Sequence, residues 1–241
     1  MNKWNWKNIR LPLMVILMVF LYSFALNRNN KRNIENIEVD FVGNERLFIL
    51  KETVNKLLIE NVENRMNLSK ETVVLSRLES VLDKHPMVEE AEVYITPNAQ
   101  LKAVVRQKTP IARLYTSQGS YYIDYKGTIM PLSDNFTSRV PLVISEINDN
   151  TQAQIVALFK YIYDDEFLNK NIIGIHIKSD GTVSMKNRNY NYVIDFGLPT
   201  EIERKFNNYK AFFQKMEQEE RITQYSKINL RFTKQVVCVR H

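Results

Sequence analysis

His85–Ala112 reads HPMVEEAEVYITPNAQLKAVVRQKTPIA, and the fold turns on how it is parsed. Ala91, Val93 and Ile95 alternate with polar neighbours, and after a Pro97-Asn98 turn Leu101, Ala103 and Val105 alternate again. A period of two marks a strand buried on one face, so the stretch is a pair of strands. His85-Pro86 closes whatever precedes it, because the residue before a proline is driven out of helical geometry. Upstream, Val74, Leu78, Val81 and Leu82 fall on one helical face after Ser69, a helix N-cap. Val54, Leu57 and Leu58 recur at helical spacing before that. Further back Ile37, Val39 and Phe41 alternate with Glu38 and Asp40 until Gly43-Asn44 breaks the run. The sum is a β-α-α-β-β unit over residues 36–108.

Downstream, residues 109–241 are expected to form a mixed β domain with two helices. Ile111–Thr116, Tyr121–Asp124 and Thr128–Pro131 are short strands parted by Gln118-Gly119 and Lys126-Gly127. Thr151 with Gln154 forms a capping box opening a helix whose face is Ile155, Leu158, Phe159 and Ile162. Ile173, Ile175 and Ile177 lead into Ser179-Asp180-Gly181, and Val183 and Met185 lead away, a strong hairpin signal. Tyr192, Ile194 and Phe196 make another strand. Thr200 and Glu203 form a second capping box, before a helix with Ile202, Phe206, Tyr209, Phe213 and Met216 on one face. Ile228, Leu230 and Phe232 alternate with Asn229, Arg231 and Thr233, and Val236–Arg240 is the last strand.

The N-terminal end is different in kind. Leu11–Leu26 is apolar apart from Pro12, Tyr22 and Ser23, with Lys3, Lys7 and Arg10 before it and Arg28, Lys31 and Arg32 after it. Sixteen residues fall short of the about 20 needed to span a bilayer. Ile9 and the snorkelling stems of the arginines lengthen the run, and Trp4 and Trp6 suit the interfacial belt. A single transmembrane helix at 11–26 is expected, between a cytoplasmic tail at 1–10 and a linker at 27–35. The competing reading is a cleavable signal peptide with Ser23 and Ala25 as the small residues before the cut, against which the large Phe24 speaks. Lysine and arginine are balanced across it, so charge assigns no orientation.

With 33 basic and 27 acidic residues the net charge is +6. Acidic residues accompany basic ones almost throughout, unlike the basic stripe of a nucleic-acid binder. His85, His176 and His241 match no zinc spacing, and no nucleophile elbow, Walker loop or dinucleotide fingerprint occurs. Asp164-Asp165-Glu166 reads as a solvated helix end. The lone Cys238, among valines, reads as a small apolar strand residue and cannot form an intramolecular disulfide. No catalytic residue, metal ligand or cofactor is expected.

The order of these pieces resembles the FtsQ/DivIB family of bacterial cell-division proteins. His85-Pro86-Met87-Val88 through Ala91 and Val93, then Pro97, Leu101, Val105 and Thr109-Pro110-Ile111-Ala112, is similar to the family's series across the end of its POTRA domain. Tyr122-Ile123-Asp124…Gly127 resembles its Y-x-D-x-x-G, and Asn229-Leu230-Arg231-Phe232 stands where D-L-R-Y is usual. Met87, Asn229 and Phe232 depart from the pattern, the last two by losing a carboxylate and a hydroxyl.

The resemblance implies an α+β chain with an N-terminal transmembrane helix, a POTRA domain and a β domain. It implies a non-enzymatic, single-pass scaffold of the inner membrane at the septum, its C-terminal bulk periplasmic. FtsB-like and FtsL-like proteins would be the partners in controlling septal peptidoglycan synthesis, with neither nucleic acid nor small-molecule substrate. The alternative is another POTRA-type export or assembly component, but too few residues follow the β-α-α-β-β unit for a large outer-membrane barrel. Strand addition at an uncovered C-terminal edge makes Arg231, Phe232, Lys234, Val236, Val237, Cys238 and Val239 the candidate contacts. Proline at Val237 should weaken capture if that N–H points outward.

Overall fold

The computed structural model describes residues 6–30, 37–43, 48–63, 71–98, 100–116, 119–144 and 152–241. Ser69, Thr151 and residues 31–35 of the expected linker lie outside them. The chain divides into two compact units, one comprising residues 1–45 and 49–106, the other 46–48 and 107–241.

In the first unit α1 runs from Trp6 to Asn30, longer at both ends than the expected 11–26. At 1.5 Å per residue it is about 37 Å long. Its apolar side chains from Leu13 to Leu21 and Phe24 are all exposed. Among the described residues no helix is long and apolar enough to cross a membrane. The helical part of the expectation is therefore observed, and the spanning part is not.

The rest of this unit is a three-stranded sheet in the order β1 (Ile37–Val42), β3 (Leu101–Gln107), β2 (Val88–Ile95), with β1 and β3 parallel. Two helices, α2 (Lys51–Glu63) and α3 (Glu71–Asp83), contribute Val54, Leu58, Leu78 and Leu82 to its core. The strands contribute Val39, Ala91, Val93, Leu101, Ala103 and Val105. The opposite faces of the strands carry Glu38 and Asp40, which meet Lys102 at 3.0 and 3.8 Å.

The second unit has nine strands among the described residues. They are β4 (Pro110–Thr116), β5 (Gly119–Asp124), β6 (Ile129–Met130), β7 (Leu142–Ile144), β8 (Ile172–Ile177), β9 (Val183–Asn187), β10 (Val193–Gly197), β11 (Tyr225–Asn229) and β12 (Val237–Arg240). Their order across one sheet is β12-β11-β10-β9-β8-β7-β4-β5-β6. Helices α4 (Gln152–Asp164) and α5 (Glu166–Asn171) connect the parallel neighbours β7 and β8. Helix α6 (Ile202–Gln218) connects the parallel pair β10 and β11.

The core lies on the helical side. One register row of the sheet, Leu114, Val143, Ile175, Met185, Ile194 and Ile228, is buried there, with Cys238 packed against its end. It meets Ile155, Leu158, Phe159 and Ile162 of α4 and Phe206, Tyr209, Phe213 and Met216 of α6. Burying each large apolar side chain contributes roughly 1.5–3 kcal/mol. The Phe206 ring links the layers, 4.9 Å from that of Phe196 and stacked at 5.5 Å on that of Tyr161.

Several expectations need correction. The sequence pattern gives no sign of strand β7 or helix α5, and this unit has three described α-helices where two are expected. The run Asp164-Asp165-Glu166 is a junction between helices, where Asp165 accepts the Leu168 N–H and pairs with Lys210 at 2.7 Å. The Thr200 capping box does not form, since α6 is preceded by Glu201 in left-handed geometry with no side-chain cap. In β8 the buried set is Ile172, Ile175 and Ile177, because a register shift between Ile172 and Gly174 turns Ile173 outward.

Candidate interaction edge at the C-terminal strands

Alternation over 228–240 suggested one long strand followed by another. The structure ends β11 at Asn229, and the loop to β12 holds Arg231, Phe232, Lys234 and Val236. The chain leaves the sheet because Asn229 turns back on itself. Its Oδ1 accepts the Arg231 N–H at 2.9 Å, a local bond that competes with strand continuation. An aspartate could accept the same bond, so the departure from D-L-R-Y leaves this turn intact. Farther along, Asn208 of α6 donates to the Thr233 carbonyl at 2.9 Å.

Beneath the loop sits an ion cluster that the sequence did not disclose. Asp195 of β10 is 6% exposed. One of its oxygens accepts from Arg231 Nε at 3.0 Å and the other meets Lys227 Nζ at 2.8 Å. Burial pushes the carboxyl up, but the hydrogen bonds from Lys227 and Arg231 outweigh it and hold the pKa below the ordinary aspartate value. Gly197 leaves room for the arginine, since a Cβ there would lie 2.8 Å from Arg231 Cγ.

Phe232 is 51% exposed, Val237 40% and Val239 53%; Arg231 and Lys234 are exposed, Val236 and Cys238 half-buried. Among the described residues strand β12 ends the sheet and pairs with β11 alone, antiparallel, with Asn229 opposite Val237, Ile228 opposite Cys238 and Lys227 opposite Val239. The direction of its main-chain groups follows from its neighbours. Leu230 N–H donates to the Asp195 carbonyl at 2.8 Å in the parallel β10–β11 pair. Asp195 thus bonds to the residues on either side of Asn229, and the polar groups of Asn229 face β12. Opposed residues of an antiparallel pair that face each other exchange both bonds, so Val237 points its N–H and C=O inward. Cys238, one residue on, points its own outward. The Val237 N–H is therefore the wrong group to test.

The sheet face away from the helices carries two further register rows. One runs Tyr115, Ile144, His176, Ser184, Asp195, Asn229, Val237. It places a histidine, a serine and an aspartate side by side without the relations a catalytic triad requires. The serine stands between the other two, so His176 is not the link from serine to carboxylate. Both oxygens of Asp195 are already engaged by cations.

The Tyr122…Gly127 motif also resolves into structure. Asp124 accepts the Thr128 N–H and hydroxyl, both at 2.6 Å, in a turn where Gly127 has φ of +85°. The Tyr122 hydroxyl accepts the Ser138 N–H at 3.1 Å.

The described residues thus comprise a long N-terminal helix, a small β-α-α-β-β unit and a large mixed sheet that ends in the edge strand β12. The family model described as FtsQ/DivIB, C-terminal related, matches residues 109–239, and one for a POTRA-like domain matches residues 35–106. The chain belongs to the FtsQ/DivIB family, whose members are non-enzymatic scaffolds of cell division with protein partners there. One solved structure it resembles is the major extracytoplasmic domain of the trans isomer of the cell-division protein DivIB from Geobacillus stearothermophilus. That match is 13% identical, covers 46% of this chain and 95% of that one, and has a TM-score of 0.32, too low to bear on fold or function. No curated protein matches the chain.

Proposed function

We propose that this protein is a membrane-anchored divisome scaffold whose strand β12 captures an extended segment of an FtsB-like partner, within a complex that also holds an FtsL-like protein. Residues 11–26 are the anchor, 1–10 the cytoplasmic tail and 27–35 the linker. The POTRA domain at 36–108 and the β domain at 109–241 stand outside the cytoplasm, where septal peptidoglycan is made. The scaffold helps control that synthesis through its partners.

The observation that carries this reading is the last strand. Among the described residues it has one neighbour, its Cys238 main-chain groups face away from that neighbour, and Val237 and Val239 stay exposed. An added strand gains affinity from main-chain bonds and specificity from alternate side chains. Arg231, Phe232, Lys234 and Val236 to Val239 are the proposed contacts.

The test is affinity of the full-length protein for its FtsB-like partner in detergent. Cys238→Pro removes the outward N–H at an edge, where proline is tolerated. A lost bond of about 1.4 kcal/mol is a tenfold weakening. Cys238→Val keeps the N–H and should bind within twofold of the parent. Val237→Pro cuts the β11–β12 ladder instead and tests folding. A folded Cys238→Pro that binds like the parent removes β12 as the site.

A further inference from the structure

The POTRA-like unit has its own terminal strand, β2, and this one is occupied from within. The Ala91 N–H donates to Asp83 Oδ1 at 2.8 Å and the Val93 N–H donates to Glu79 Oε1 at 3.0 Å. Both donors are taken by α3 and not by β3, the one strand beside β2 among the described residues, so they lie on the side of β2 away from β3. The pairing depends on a coincidence of two repeats. Residues four apart on a helix are about 6 Å apart along its axis. Residues two apart on a strand are about 6.8 Å apart. Glu79 meets the later strand residue and Asp83 the earlier one, so α3 runs antiparallel to the strand it serves. On the buried side Leu78 and Leu82 pack into the same core as Ala91 and Val93.

We infer that α3 is a surrogate strand. Its two carboxylates hold the outward N–H groups in the middle of β2 and bar that edge to an incoming chain. Exposed edges invite pairing, and covering them with a helix is one remedy. Here the cover also supplies the missing acceptors. A charged acceptor makes a stronger hydrogen bond than a neutral carbonyl, so an incoming strand would exchange good bonds for weaker ones. Strand addition at β2 is therefore closed whether or not β12 is used as proposed above.

The experiment uses the isotopically labelled full-length chain in micelles and reads amide exchange residue by residue. Glu79→Ala should speed exchange at Val93 at least tenfold and leave Ala91 near the parent rate. Asp83→Ala should do the reverse. Glu79→Gln and Asp83→Asn retain an oxygen acceptor and should stay within threefold. A second arm adds a heptapeptide of alternating valine and lysine, chosen because Glu90 and Glu92 point to solvent on this strand. The Glu79→Ala, Asp83→Ala double variant should bind it, with shifts confined to 88–95, and the parent should not. Unchanged exchange in the folded single variants overturns the inference. So does a parent that takes up the peptide at β2, or a folded double variant that refuses it.

Discussion

Gly197 holds φ at +72°, a conformation that disfavours a side chain, and lies under the aliphatic stem of Arg231. Alanine there meets two separate obstacles, backbone strain of roughly 1–2 kcal/mol and displacement of Arg231 from Asp195. Gly197→Ala should therefore destabilise the fold by about 2–3 kcal/mol, measured by denaturant midpoint. In an Arg231→Ala background the second obstacle is gone, and the cost should fall towards the strain alone. An undiminished cost in the double variant would refute the steric part. None of this was legible in the sequence. Asp195 stands between Ile194 and Phe196 with nothing nearby in the sequence to mark it, and its partner Arg231 lies 36 positions downstream. What could have been noticed is a glycine ending that strand immediately before Leu198-Pro199.

At the level of elements, periodicity was a good guide wherever one local pattern controlled the outcome. The Asp180-Gly181 hairpin forms as expected. Asp180 accepts both the N–H and the hydroxyl of Thr182, and the Gly181 N–H donates to the Lys178 carbonyl. The aromatic face of α6 is buried as read, because Phe206, Tyr209, Phe213 and Met216 keep helical spacing without interruption. Failures occurred where tertiary pairing outvoted local pattern. Strand β7 is three residues long and exists through its parallel neighbours β4 and β8, which no short window can display. Phe232 continued the alternation of Ile228 and Leu230, yet the Asn229 side chain ends the strand before it. Of the seven candidate contacts, Arg231, Phe232, Lys234 and Val236 thus lie in the loop and Val237, Cys238 and Val239 in the strand. That an edge lay at the C-terminal end was readable; which amides faced out of it required the register.

For the molecule as a whole, the proposed topology makes a plain demand. A reporter that works only outside the cytoplasm, fused after His241, should be active, and a cytoplasmic reporter in the same place should be silent. The opposite result would reverse the orientation and take the division role with it. Within the second unit, stability also draws on Phe48, which is distant in sequence. Its N–H donates to Gln107 Oε1 at 2.7 Å, and its carbonyl accepts from Ser133 at 2.6 Å and Asn135 at 3.2 Å.

The buried tyrosines under β9 and β10 have an optical consequence. The hydroxyls of Tyr192 and Tyr209 lie 2.8 Å apart, and Asn187 donates to the latter at 3.2 Å. Burial pushes Tyr209 up to about 12 and Tyr192 further still. A raised phenol pKa favours folding while both states are neutral. That contribution is lost as pH rises from the unfolded value of 10 towards 12, when only the unfolded chain ionises. Both tryptophans stand at positions 4 and 6, whereas the twelve tyrosines begin at Tyr22. Indole emission therefore reports on the N-terminal segment alone, and phenolate absorbance mainly on the folded units. In an alkaline titration, the exposed phenols should ionise reversibly first. A final step worth these two rings should appear together with loss of secondary structure, while indole emission stays level. One chain thus carries two spectrally separate gauges, one for its N-terminal segment and one for its sheet.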